Sequence, residues 1–276
     1  NLLDKSQTGI LFSNVLQETE QMNYFRYGYL YNGGGVGIGD INQDGLADIY
    51  FTGTVDNDRL YLNKGSLQFE DITLSAGIQQ NNGLKTGVNM IDINNDGLLD
   101  IYVSRSGWFE NEEERANLLY INQGNNTFTE EAKSYGLAET DNTVQVAFFD
   151  YDKDGDLDCY MANHPMDGIK PADFEAMRKN PPDRFRDKLY QNQGNGTFVE
   201  ISKQAGINNF GHGLGLAVSD FTGDGWPDIY VANDFTAHDF YYINNGDGTF
   251  TERAKSLTSH VARFAMGSDA SDINND

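Results

Sequence analysis

An acidic loop of nine residues that recurs along the chain constrains the fold more than any other feature of the sequence. In its fullest copy, residues 150–158, carboxylates occupy positions 1, 3, 5 and 9, and a glycine occupies position 6. Oxygens at alternate positions around a tight turn converge on one point, where like charges repel unless a cation lies between them. The glycine permits the sharp turn. The loop therefore predicts a calcium site, to which position 7 contributes its backbone carbonyl.

The pattern occurs in four complete copies, and a partial fifth copy ends the sequence. At positions 1, 3, 5, 7 and 9 the predicted Ca²⁺ ligands are Asp40, Asn42, Asp44, Leu46 and Asp48; Asp92, Asn94, Asp96, Leu98 and Asp100; Asp150, Asp152, Asp154, Asp156 and Asp158; Asp220, Thr222, Asp224, Trp226 and Asp228; and, in the partial copy, Asp272, Asn274 and Asp276. An EF-hand would need a carboxylate at position 12 and flanking helices. Position 12 is instead an apolar residue within a run that reads as a strand. Each loop therefore joins two strands.

The loops mark an internal repeat of about fifty residues. Their leading aspartates lie at positions 40, 92, 150, 220 and 272. Each complete repeat also contains a Tyr-x-Asn-x-Gly segment followed by a phenylalanine, and Asn with Gly between apolar runs is typical of a hairpin turn. Two hairpins per repeat give four strands. The sequence therefore predicts an all-β fold, a β-propeller of four-stranded blades with about four and a half blades present; a solenoid is the alternative architecture.

These repeats resemble a known family. The segment Gly-Val-Asn-Met-Ile-Asp-Ile-Asn-Asn-Asp-Gly at 87–97 is similar to the FG-GAP or VCBS repeat of integrin α-subunit propellers, and the resemblance covers about residues 34 to 276. The family's glycine five residues before the leading aspartate is matched at Gly35, Gly87, Gly215 and Gly267, whereas Gln145 departs from it.

The segments 220–230 and 263–269 resemble, more narrowly, bacterial surface lipoproteins that join these repeats to an ASPIC/UnbV domain. That resemblance implies about seven blades in a longer protein, a place at the bacterial cell surface, and a lipid anchor upstream of Asn1. We expect an N-terminal segment, residues 1–34, to pack on a propeller that spans 35–276 and is incomplete at its C-terminus.

Repeat length varies only between the second and third strands of a blade, so we expect those inserts to lie opposite the acidic loops. The largest, 164–188, contains four of the five prolines and predicts a short helix over 172–180. We interpret it as a docking element whose replacement by a linker would leave the fold intact. The aromatic residues between Tyr24 and Tyr31 are the second candidate surface.

Composition excludes several functions. A net charge of −23 argues against a nucleic-acid partner, and no apolar run has the length of a membrane helix. The single cysteine, Cys159, lies in an apolar run that predicts burial, and the four histidines lack metal-ligand spacing. No nucleophile elbow or phosphate loop occurs, so we expect a protein that is not an enzyme.

The preferred hypothesis is a calcium-stabilised extracellular or cell-surface propeller that binds a protein partner or acts as a scaffold. The alternative is a propeller that binds or degrades polysaccharide, because exposed aromatic side chains stack on sugars and fold alone does not decide function.

Overall fold

The computed structural model describes residues 3–79, 83–165, 171–235, 237–260, 262 and 264–271 and, at 171 and 172, the backbone alone. Within these residues the chain forms four sheets, each of four antiparallel strands that follow one another in sequence order. The predicted all-β fold of four-stranded, propeller-type blades is therefore confirmed. Among the described residues, no helix combines the length and apolarity that crossing a bilayer requires.

Each blade ends with a fourth strand of three residues, and the first hairpin is longer in blades 2, 3 and 4 than in blade 1. The strands are, blade by blade, β1 Val36–Gly39, β2 Asp48–Phe51, β3 Arg59–Asn63 and β4 Phe69–Asp71; β5 Leu84–Ile91, β6 Asp100–Ser106, β7 Leu118–Asn122 and β8 Phe128–Glu130; β9 Thr143–Phe149, β10 Asp158–Asn163, β11 Lys188–Asn192 and β12 Phe198–Glu200; β13 His212–Ser219, β14 Asp228–Asp234, β15 Phe240–Asn244 and β16 Phe250–Glu252.

The acidic loops are the turns between the first and second strands, as the sequence predicts. In blade 3, for example, the antiparallel register pairs Asp158 with Phe149 across the loop, and β11 pairs with β12 beyond the Tyr-x-Asn segment. We call the β1–β2 type of connection the first turn, the insert the second turn, and the Tyr-x-Asn-x-Gly connection the third turn. In an antiparallel blade the first and third turns share one end, and the second turn lies at the other.

The chain divides into two compact units, Asn1–Thr140 and Asp141–Asp276, with two complete blades in each. In each unit the core lies between the two sheets. Tyr50 and Leu60 of blade 1 pack with Ile101 and Tyr120 of blade 2, and all four are at most 1% exposed. The second unit repeats this arrangement with residues of blades 3 and 4. Every residue of β6, β7 and β10 is buried, so these central strands are covered on both faces.

In blades 1 and 4, the glycine five residues before the loop allows the first strand of the next repeat to approach closely. A Cβ atom at Gly35 would lie 2.8 Å from the backbone nitrogen of Val88, and one at Gly215 would lie 2.7 Å from that of Ser268. Any side chain at these two positions would therefore push the next strand away. The second contact places residues 264–271 beside blade 4, where the first strand of the fifth repeat is expected.

Residues of the N-terminal segment contact blade 1 and blade 2. The ring of Phe12 stacks on Phe51 at a centroid distance of 4.8 Å, and the backbone N–H of Leu11 donates to the hydroxyl of Tyr61. Farther along, Tyr27 is 1% exposed and lies beside Trp108, with 5.8 Å between ring centroids.

In the part of the chain that the structure describes, helical structure is confined to short elements: α1 Lys5–Thr8, α2 Ala132–Tyr135, α3 Pro171–Lys179 and α4 Ala254–Leu257, with 3-10 turns at Glu112–Glu114 and Asp183–Phe185. Helix α3 matches the predicted helix in the largest insert but starts one residue earlier. Its Phe174 is 7% exposed and packs against Phe210 and the ring of His212. The insert is therefore packed against its own unit.

Candidate metal centre

The four complete acidic loops share one backbone framework. In loop 3, the carboxylate of Asp150 accepts hydrogen bonds from the backbone N–H of Asp154 at 3.1 Å and of Gly155 at 3.0 Å. Loops 1, 2 and 4 repeat both bonds at 2.7–3.2 Å. The position-5 aspartate accepts from the N–H of position 7 in every loop, at 2.8–3.0 Å. The position-6 glycines have φ of 83–97°, which L side chains rarely adopt.

The aspartate at position 9 lies at the base of each loop. Asp48, Asp100, Asp158 and Asp228 are each 0% exposed. One oxygen accepts the N–H of position 2 and the other accepts the N–H of the asparagine that ends the third strand, at 2.7–3.1 Å throughout. This carboxylate therefore fastens the first turn to the third strand.

Burial raises the pKa of these position-9 carboxyl groups. The pKa of Asp100 is raised to about 6 and that of Asp158 to about 7, since burial and the other loop aspartates outweigh the backbone hydrogen bonds. The pKa values of Asp48 and Asp228 are also raised. The loops thus concentrate negative charge in a place where the ionised form is unfavourable without a cation.

Loop 3 brings its carboxylates closest together. Oxygen atoms of Asp150, Asp152 and Asp158 all lie within 4.8 Å of one another, the one such group of three acidic, histidine or cysteine side chains among the described residues. Asp152 Oδ2 accepts from Gln191 at 2.8 Å, whereas its Oδ1 is buried without a hydrogen-bond partner. A buried carboxylate oxygen without a partner is costly and fits a metal ligand.

The donor set consists of oxygen atoms alone. Positions 1, 5 and 9 offer carboxylates, position 3 offers an amide, carboxylate or hydroxyl oxygen, and position 7 offers a carbonyl. Such a set suits a hard cation of the size of Ca²⁺ and suits zinc or copper poorly. The individual ligands remain predictions. The fifth set, Asp272, Asn274 and Asp276, lies outside the described residues.

The sequence reasoning missed the residue that joins the third turn to the acidic loop. The side chain of Asn122 donates to the carbonyl of Leu99 at 3.1 Å and to that of Ile41, in loop 1, at 2.9 Å. Its own Oδ1 accepts from Gly124 at 3.0 Å. Asn244 makes the corresponding bonds in the second unit, to Pro227 and Tyr151. The Tyr-x-Asn-x-Gly pattern contained this signal but was interpreted only as turn chemistry.

Neighbouring loops within a unit also touch directly. Gln43 Nε2 of loop 1 donates to the carbonyl of Gly97 in loop 2 at 2.7 Å. In the second unit, Lys153 Nζ lies 4.2 Å from the ring centroid of Trp226, a cation–π contact between loops 3 and 4. Adjacent loops are therefore linked both by side chains and by the shared asparagine.

A second set of buried polar groups lies at the opposite end of the blades. Asp187 Oδ1 accepts the N–H of Asn163 and Oδ2 accepts the hydroxyl of Tyr160, both at 2.8 Å. Asp58 and Asp239 play the same part in blades 1 and 4. Each precedes the third-strand tyrosine by three residues, and this Asp-x-x-Tyr spacing is the sequence signal for the buried carboxylate.

The remaining candidate groups have structural surroundings. Cys159 is 0% exposed in β10, as predicted, and burial raises the pKa of its thiol. Burial, followed by the charge of His212, lowers the pKa of His164 to about 3, so this imidazole is neutral at ordinary pH. Neither environment favours a nucleophile or a proton carrier.

Comparisons with known proteins bear on these loops directly. A model described as FG-GAP-like repeat matches residues 40–103, 108–161, 183–231 and 220–276. Human Cartilage acidic protein 1 is 27% identical over 205 residues, which is 74% of this chain and 28% of that protein. The Xenopus tropicalis protein of the same name is 39% identical over 61 residues, 22% of this chain and 9% of its own length. The chain thus spans less than a third of the length of these curated relatives.

Two solved structures are similar at a lower level. One is an Agrocybe aegerita lectin described as recognising non-reducing terminal N-acetylglucosamine, with 19% identity, a TM-score of 0.42 and coverage of 82% of this chain and 51% of the lectin. The other is the V. cholerae biofilm matrix protein Bap1, with 13% identity, a TM-score of 0.42 and coverage of 78% of this chain and 27% of Bap1. At TM-scores of 0.42, these two structures add nothing to the assignment of the chain to a family. The matched segments contain all four complete acidic loops and cover most of the chain, and the chain therefore belongs to the FG-GAP-like repeat family.

Proposed function

We propose that this chain is a calcium-stabilised extracellular recognition module and not an enzyme. The observation that carries the proposal is the fourfold repetition of one oxygen-lined loop with the same backbone hydrogen bonds. A catalytic site needs one constellation of reactive groups, whereas these loops repeat a single structural device at the same end of every blade. Repetition of that kind favours stabilisation.

The electrostatics of loop 3 support the calcium assignment. With three carboxylates within 4.8 Å of one another, each ionised pair costs about 3 kcal/mol at an effective dielectric constant of 20. A bound Ca²⁺ supplies the positive charge that offsets this repulsion and accepts the remaining oxygen lone pairs. The residues that would hold it in this loop are Asp150, Asp152, Asp154 and Asp158, with the carbonyl of Asp156.

The test is thermal unfolding with calcium and after its removal by chelator, with metal content measured in parallel. At a free calcium concentration of 100 Kd, each site adds about 2.7 kcal/mol to the free energy of unfolding. We expect a large fall in melting temperature on chelation. An unchanged melting curve in protein that is demonstrably free of metal would refute the calcium proposal.

The N-terminal segment supports a recognition role. Phe25 is 93% exposed, and Tyr24 and Tyr31 are 55% and 59% exposed. Buried Tyr27 and Leu30 anchor the same stretch, so these rings project from a fixed support. Clustered exposed aromatic side chains on an anchored segment are typical of protein-binding surfaces. We therefore assign the protein partner to residues 24–31.

A photo-crosslinking residue placed at position 25 tests this assignment in cells that produce the full-length protein. We expect one defined protein adduct from position 25 and none from position 74, where Leu74 is 77% exposed in the same unit. Adducts of equal yield from both positions, or none from position 25, would contradict the assignment.

The proposed location is the outside of the cell, and its finer form is a lipid-anchored protein of the bacterial surface. Support comes from the acidic calcium-type loops, which suit millimolar calcium, and from a human relative named for cartilage. Protease added to intact producing cells should then remove the protein. Full protection until the cells are lysed would refute a surface location.

Polysaccharide binding is the second candidate function. It is favoured by a polar cleft in blade 3, which is described next.

A further inference from the structure

We propose that a cleft in blade 3 binds a sugar residue through the ring hydroxyls. The cleft has a volume of about 570 Å³ and lies between the end of the insert, residues 180–186, and the turn after β12. That volume falls within the range of small-ligand sites, about 300–1,000 Å³. This inference rests on the recognition role proposed above but not on the calcium sites or on the aromatic segment.

A buried guanidinium lies in the lining of the cleft. Arg186 is 2% exposed, and its Nη1 donates to Asp183 Oδ1 at 2.8 Å. Its Nη2 lies 3.7 Å from Glu200 Oε1, and its Nε is buried without a hydrogen-bond partner. Burying a guanidinium with one N–H unmatched is unfavourable for folding alone. The planar group is therefore held in one orientation beside an open cleft, as a specific recognition site requires.

The opposite wall supplies a second cation, and one carboxylate spans the two walls. Lys203 Nζ lies 3.0 Å from Asp183 Oδ1, the same oxygen that accepts from Arg186. The Lys203 and Arg186 charges together lower the pKa of the Asp183 carboxyl, so it is ionised at neutral pH. The cleft thus places two donor groups and one acceptor within a few ångströms of one another.

The rest of the lining determines the ligand class. Asn180 and Asn208 are exposed amides that both donate and accept, while Pro181 and Pro182 add half-buried apolar ring surface. Counting Glu200, the charges around the cleft cancel. The lining therefore favours a neutral ligand that offers donors and acceptors on adjacent atoms and presents some C–H surface. The vicinal hydroxyls of a pyranose meet these three requirements, and a phosphate or a metal cation does not.

Part of this arrangement recurs seventy residues earlier, in blade 2 of the first unit. A cavity of about 490 Å³ is lined there by Glu113 of a 3-10 turn, by Lys133 of α2, and by Arg105. Glu113 and Lys133 correspond to Asp183 and Lys203 in the repeat. Arg105 is also buried, at 3% exposure, but it lies in β6 and donates to the carbonyls of Glu113 and Glu114, and Ala116 stands at the position that corresponds to Arg186. The acidic residue and the lysine therefore recur in two blades, whereas the buried arginine with an unmatched N–H belongs to the cleft of blade 3.

The experiment is saturation-transfer NMR on the full chain in excess calcium, with millimolar glucose, galactose, mannose, N-acetylglucosamine and glucuronate as separate probes. We expect transfer to at least one neutral sugar. The double variant Lys203→Ala/Asn208→Ala should weaken that binding at least tenfold, because it removes a donor and an amide from one wall. Both side chains are exposed, so the melting temperature should not change.

The matched control is Lys64→Ala, an exposed lysine in an ion pair with Glu70 in the first unit. It should leave sugar binding unchanged. The proposal is overturned if no sugar in the set receives saturation, or if the double variant binds as the parent does. It is also overturned if only glucuronate binds, since the cleft would then be an anion site. None of these results depends on the chelation experiment, so the two proposals fail separately.

Discussion

Replacement of Asn122 by alanine should destabilise the first unit far more than the same change at Asn63. The two residues occupy equivalent positions at the ends of β7 and β3. Asn63 donates to Ala47 O at 2.8 Å and accepts from Gly65 at 2.9 Å, close to solvent. Asn122 is 3% exposed, makes the equivalent pair of bonds, and also donates across the blade boundary to Ile41 O. The comparison therefore isolates one buried hydrogen bond between blades.

The magnitude follows from the groups left without partners. Each exposed hydrogen bond that is lost costs about 1 kcal/mol, while a buried carbonyl left unsatisfied costs about 1–3 kcal/mol. We expect a loss of about 3–5 kcal/mol for Asn122→Ala and about 1–2 kcal/mol for Asn63→Ala. Urea unfolding at saturating calcium measures both, provided that the slope with denaturant is unchanged.

A replicate is available in the second unit, where Asn244 donates to Tyr151 O at 2.8 Å and is 2% exposed. Asn244→Ala should therefore lose as much stability as Asn122→Ala. If Asn122→Ala and Asn63→Ala lose equal amounts of stability, the bond between blades contributes nothing measurable and this reasoning is wrong.

Three further outcomes are expected. Asp154→Ala should abolish calcium binding at loop 3, measured by calorimetry, whereas Asp156→Ala should retain it because only the carbonyl of that residue is a predicted ligand. Phe174→Ala should cost about 3–5 kcal/mol by opening a cavity beside Phe210, and an unchanged urea midpoint would show that the insert does not brace the unit. Burial raises the pKa of Asp187 to about 6 from 3.8. The folded state therefore binds more protons than the unfolded state, and this group removes about 3 kcal/mol of the free energy of unfolding as the pH rises from 4 to 6. Asp187→Asn should flatten that part of the profile of stability against pH relative to the parent.

The blades and loops could be predicted because their signals are local. A turn glycine at position 6 and alternating carboxylates fix the first turn within nine residues, and the apolar runs after Asp48 or Asp228 fix the strand that follows. The hairpin signal of the third turn is equally short. Each of these patterns is interpretable without knowing what lies on the other side of the blade.

The contacts between distant residues could not be predicted in the same way. Lys85 is 1% exposed, donates to Asp56 O at 2.8 Å and lies 3.9 Å from Asp58, although a lysine at the start of a strand reads as a surface residue. The two cleft walls in blade 3 likewise come from segments about twenty residues apart. Only the packing of the blade brings such groups together, so composition and spacing carry no signal for them.

The largest insert combines a local signal with contacts between distant residues. It also limits how far the length of the second turn can vary. Its helix was expected from Pro171, but its packing on Phe210 depends on a residue beyond the third and fourth strands. Asp187, at its end, accepts the Tyr160 hydroxyl in the core, so a linker that replaced residues 165–187 would leave that hydroxyl without its acceptor. The structure therefore argues against our expectation that the whole insert is dispensable. The length of the connection between the second and third strands can vary because closing a longer loop costs little free energy. This freedom ends at the carboxylate or amide just before the third strand, because every blade needs that group to accept a hydrogen bond from the end of its second strand.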